Sequence, residues 1–199
     1  MAKKKPTGLK PISPESYNIR QISKNAASTM VTYAWLCLLG ALIDFRATTK
    51  ESILQLWQDV RQFSEDRKAS FKTHMSNWEM EQIEKTVGLH PVTIPDASKI
   101  KTERDLARYT KKVNEKAMYV TLCIIVYPLL KAQYSVEFLQ ELIDKTYNIH
   151  DSIQKKELEL WEINDALADE YNLALYSQDG IAHLAELKKE KKCEKEEKP

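Results

Sequence analysis

One short pattern occurs twice in this chain. Trp35-Leu36-Cys37-Leu38-Leu39 is echoed by Thr121-Leu122-Cys123-Ile124-Ile125, an interval of 86 residues from Cys37 to Cys123. Without a gap, the same interval sets Thr49-Lys50-Glu51 against Ser135-Val136-Glu137 and Ile53 against Leu139. It also sets Gln55 against Glu141, Leu56 against Leu142 and Trp57 against Ile143. Further on, Trp78-Glu79-Met80 recurs as Trp161-Glu162-Ile163, three residues out of register, as a shortened loop makes it. A core pattern must be kept for both copies to fold, whereas a catalytic residue is needed once; what repeats here is structural. The chain is thereby constrained to two copies of one small apolar unit.

The unit is helical. Only four glycines occur in 199 residues, no segment shows clean period-two alternation, and apolar residues return at three- and four-residue steps. The expected fold is all-α, two repeated three-helix modules packed as a helical bundle with flexible charged termini. A net charge of +1 (30 basic, 29 acidic) gives no global pull toward nucleic acid or anionic lipid. Cys37 and Cys123 lie inside apolar runs, where a thiol acts as a small hydrophobe, and Cys193 sits in a charged tail. Neither a disulfide framework nor metal spacing follows, which fits a reducing, cytoplasmic setting.

Along the chain, residues 1–20 read as a flexible basic tail, 21–88 as the first module, 89–103 as a linker and 104–175 as the second module. Residues 176–192 read as a C-terminal helix and 193–199 as a disordered tail. No charge interrupts Asn25 to Ile43, long enough to raise a membrane span. The run contains Asn25, Ser28, Thr29 and Thr32, however, and its repeat partner is short and holds Pro128, so a buried central helix is the expectation. Thr48 or Thr49 caps the next helix, which buries Ile53, Leu56, Trp57, Val60 and Phe63. Ser76 forms a capping box with Glu79, and Gly88 ends that helix. In the second module a kink or end is expected at Pro128, and Ser135 starts the helix holding Leu139, Leu142, Ile143 and Thr146. Trp161, Ile163, Leu167 and Tyr171 follow on the next, and a last helix is expected from Ile181 to about Leu187.

This order of an apolar helix, a short link, a helix such as Glu51-Ser52-Ile53-Leu54-Gln55-Leu56-Trp57 or Glu137-Phe138-Leu139-Gln140-Glu141-Leu142-Ile143, and the terminal Trp161-to-Tyr171 helix resembles a small module of uncharacterised proteins of phages and prophages of Gram-positive bacteria. The resemblance covers about two thirds of the chain and carries no activity. It implies a mobile-element origin, where small helical proteins act on host or phage partners.

Three site readings compete. Glu137 and Glu141, followed by Glu162 and Asp165, resemble the paired acidic helices with which all-α nucleoside-triphosphate pyrophosphohydrolases hold magnesium. Yet with Leu139, Leu142 and Ile143 facing the core, Glu137 and Glu141 fall on the solvated face, whereas a bundle-core metal site needs them inward. Arg61, Arg67, Lys68 and Lys72, beside Phe63 and Phe71, form a modest basic-aromatic stretch for nucleic acid, broken by Glu65 and Asp66. Asymmetry between the copies marks the third: Trp35 matches Thr121 and Arg46 matches Ala132, and Trp and Arg are the usual interface anchors. Four scattered histidines give no zinc spacing, and no glycine-rich phosphate loop or G-x-S-x-G elbow is present. The function expected is that of a non-catalytic interaction protein of a phage or mobile element. It would bind a protein partner or a second copy of itself, without cofactor and without membrane. A magnesium-dependent nucleotide hydrolase is the alternative and a nucleic-acid accessory protein the third.

Overall fold

A computed structural model describes residues 19–45, 47–69, 75–178 and 181–187. Arg46, Lys72, the side chain of Lys68, the tail up to residue 18 and the charged end from residue 188 lie outside the described residues. The elements run α1 (Ile19–Ile43), α2 (Lys50–Ala69), α3 (Asn77–Val87), α4 (Glu103–Lys131), α5 (Val136–Gln154), α6 (Leu160–Tyr171), β1 (Leu173–Gln178) and β2 (Ile181–Glu186). The protein is thus mostly helical.

Local chemistry sets most helix ends. Thr49 precedes α2 and accepts the Ser52 N–H at 3.2 Å, while the Thr48 hydroxyl donates to Leu42 O at the end of α1. Ser76 and Glu79 form the expected capping box of α3, and Gly88 closes it in the left-handed region at φ 74°. Such a closure needs a residue without a Cβ clash. A second capping box, Thr102 with Asp105, starts α4. Ser135 caps α5 through the Phe138 N–H. Pro128 does not end α4, which continues to Lys131. It stands in the last turn, where little helix remains to be disrupted.

Packing crosses the two halves of the chain. α1 lies most extensively against α4, then α5 and α6, while α4 packs on α2 and α3 more than on α5, its neighbour in sequence. Ala26 clusters with Tyr109 and Val113, and Trp35, further along α1, shares a cavity with Thr121 and Ile124, further along α4. The two long helices therefore run side by side in the same direction. One main core takes Leu38, Leu39 and Leu42 from α1, Ile53 and Leu56 from α2, Leu122, Ile125 and Leu129 from α4, and Leu139 and Leu142 from α5. By length and composition, Gln21–Ile43 and Glu103–Lys131 are each apolar enough to cross a membrane, and each has 61% of its apolar window buried inside the fold.

The C-terminal helix expected over 176–192 is corrected by the structure. Ile181–Glu186 is a strand, paired antiparallel with Leu173–Gln178 from Leu173↔Glu186 to Gln178↔Ile181. Ala, Leu and Glu favour a helix locally, but Leu173 and Leu175 are buried on alternate positions, and Ala182, paired with Ser177, is buried on the same face. Burial in a sheet register outweighs propensity of a few tenths of a kcal/mol per residue, as tertiary context routinely does. The expected module boundary at residue 175 accordingly cuts through β1.

Candidate functional site

Against this core, α4 keeps one stripe uncovered. Glu103, Leu106, Ala107, Thr110, Lys111, Asn114 and Glu115 recur at helical spacing and, with the buried Met118 at one end, line a groove of about 970 Å³. At a rise of about 1.5 Å per residue, Glu103 to Met118 spans about 22 Å. Met30 and Tyr33 of α1, Tyr147, His150, Asp151 and Gln154 of α5, and Val92 of the connector complete it. An elongated, part-apolar trough with convergent polar groups has the general form of a binding site.

Its polar centre is a pair that joins two helices. Tyr33 Oη and His150 Nδ1 lie 2.6 Å apart, with the rings edge to face at 5.5 Å between centroids. Burial disfavours the imidazolium and lowers the His150 pKa; Asp151 and Glu115 oppose this, and Lys111 reinforces it. Burial, with Cys37 next to it, raises the Tyr33 pKa, so the hydroxyl stays protonated. At neutral pH the pair is an uncharged hydrogen-bonded clamp. It is suited to orienting a polar group rather than to nucleophilic attack.

The thiols behind it are inert. Cys37 and Cys123 are both fully buried. Burial pushes the Cys37 thiol up to about 12 and that of Cys123 up to about 11, leaving almost no thiolate to attack a substrate. Tyr119 stands four residues before Cys123 as Tyr33 does before Cys37, so the tyrosine belongs to the repeated pattern and was legible there. The contribution of His150 was not. Only the fold brings α5 against α1.

The positions singled out in the sequence fall elsewhere. Glu137, Glu141, Glu162 and Asp165 are all exposed, and among the described residues no group of three His, Cys, Asp or Glu side chains is placed to hold a metal ion. Glu162 accepts the Glu159 N–H at 2.7 Å and so starts α6, as Glu79 starts α3. The Trp-Glu echo in the sequence is thus a helix beginning, with Trp78 and Trp161 both exposed and Ile163 turned to the core. Arg61 pairs with Glu65 at 3.0 Å. Arg67 forms a part-buried ion pair with Glu79 and lies over the Phe63 ring. These pairings bind Glu79 strongly: burial raises its pKa, but the Arg67 guanidinium and the Ser76 donors hold it below the usual carboxylate range. Trp35 is 6% exposed and packs on Trp57 at 4.5 Å between ring centroids. It is a core residue that also forms the floor of a second cavity.

Comparison with protein-family models, with curated proteins and with solved structures returns no match.

Proposed function

We propose that the chain is a non-catalytic interaction protein that holds a helical segment of a partner protein in the groove along α4. The observation that carries this reading is the uncovered stripe from Glu103 to Glu115, lined on its far side by Tyr33 and His150. An amphipathic helix laid in a groove uses anchors at that spacing. Glu103 and Asp151 lie in the lining with Lys111, while Glu115 pairs with Lys112 at 2.6 Å; the remaining carboxylates suit a partner helix carrying lysine or arginine beside its apolar stripe. Met30 and Met118, buried in the core, form the apolar base of the groove.

A tandem origin for the two halves belongs to the same reading. It is supported by the matched Tyr33–Cys37 and Tyr119–Cys123 pairs and by the reciprocal packing of α1 on α5 and of α4 on α2. The resemblance to phage and prophage proteins supports a mobile-element factor, with host or phage protein as the partner.

The test is photo-crosslinking in the native host with benzoylphenylalanine in place of Ala107, against the same group in place of exposed Glu170. A discrete adduct from the first position only, lost when Thr110→Arg and Asn114→Arg fill the groove, is expected. No adduct would overturn the proposal. So would magnesium-dependent hydrolysis of a nucleoside triphosphate that disappears in Glu141→Ala with Asp165→Ala.

A further inference from the structure

The core of this protein is a surface between its two halves. Within the first half, α1 lies extensively on neither α2 nor α3, and in the second half α4 touches α5 only slightly. α1 is instead covered by α4, α5, α6 and the hairpin, all from the other half, and α4 is covered in return by α2 and α3. Specific contacts follow the same division. Tyr33 meets His150 at 2.6 Å, the Tyr134 hydroxyl donates to Asp59 at 3.2 Å, and Lys50 pairs with Glu186 at 2.8 Å; each joins one half to the other. Inside the first half, Trp35 packs on Trp57 and Arg67 pairs with Glu79, which orders side chains but closes no core. Leu38, Leu39 and Leu42 of α1 are buried only because the second half lies over them.

The chain crosses between the halves through residues 88–102, from the end of α3 to the start of α4. Leu89 and Ile100 anchor the ends of this crossing, while Pro91, Thr93, Pro95 and Asp96 in its middle are exposed. Exchange of identical elements between copies preserves the contacts made across such a surface and alters only the path of the connection.

We propose that the first half of one copy binds the second half of another, so that the partner at this face is a second copy of the chain and residues 88–102 are the hinge. Each lobe of the exchanged dimer then holds α1 to α3 from one copy and α4 to β2 from the other. The α4 groove is rebuilt in both lobes, with Tyr33 from one copy and His150 from the other. The exchange does not depend on what that groove holds.

The experiment co-expresses two full chains with different affinity tags, Leu39→Asp in the first half of one and Leu142→Asp in the second half of the other. Both leucines are fully buried, and an unpaired carboxylate in either place unfolds the chain that carries it. Where one aspartate is tolerated, a second at Leu38 or Leu139, equally buried, removes the fold. Expressed together, the two chains are expected to purify through both tags as a one-to-one complex with cooperative helical melting, because one lobe is then built from two undamaged halves. Leu39→Asp with Leu56→Asp damages the first half of both chains, so no sound lobe can form and no such complex is expected. Failure of the first pair to give a helical complex would overturn the proposal. Equal recovery of the second pair would overturn it too, since rescue would then owe nothing to exchange of halves.

Discussion

Gly40 stands where α1 meets α6. A Cβ built there would lie 3.3 Å from both Cδ1 and Cγ2 of Ile163, closer than ordinary van der Waals contact. Alanine in a helix interior gains about 1 kcal/mol over glycine, while overpacking a filled core costs about 1–3 kcal/mol. Gly40→Ala is therefore expected to lose about 1 kcal/mol net, and Ile163→Val in the same chain to recover most of it. Urea denaturation of the single and double variants measures this; additive losses would show that the two side chains do not meet. The repeat interval pairs Gly40 with Val126. The sequence flagged Cys37 and Cys123 as equivalent but gave no sign that Gly40 is a close-approach point.

At the scale of elements, the helix starts were written into short motifs. Ser76-x-x-Glu79, Ser135 and Thr49 each act within four residues, so they were readable before any tertiary contact was known. The hairpin was not, because its determinant lies outside it. Asn164 of α6 accepts the Leu175 N–H on the edge of β1. Replacing Asn164 with Leu leaves that N–H unpaired, at a cost of about 1–3 kcal/mol for a buried donor. Faster amide exchange in β1 and β2, with α2 and α3 unchanged, is the expected readout. Uniform protection across the hairpin would show that Asn164 does not anchor it.

For the whole molecule, the joining of α1 to α5 through Tyr33 and His150 makes stability depend on pH. The folded state lowers the His150 pKa, whereas the unfolded chain takes up the proton near the ordinary value of about 6.5. The unfolded state then binds more protons as pH falls through that window, so stability is full above it and is lost below. His150→Gln should show a smaller loss of melting temperature between about pH 7.5 and pH 5.5 than the parent chain. An equal loss in both would locate the acid sensitivity elsewhere. By itself the sequence determined the helical class, the caps and the two buried cysteine runs, because periodicity, capping and apolar content act over a few residues. It left the groove illegible, since the stripe on α4 reads as an ordinary polar face until α1 and α5 stand beside it. Tertiary structure alone decided that α1 packs on the helices of the second half and that residues 181–186 form a strand. Both outcomes depend on where distant apolar surfaces find cover. That is a property of the folded chain as a whole, which local propensity does not encode.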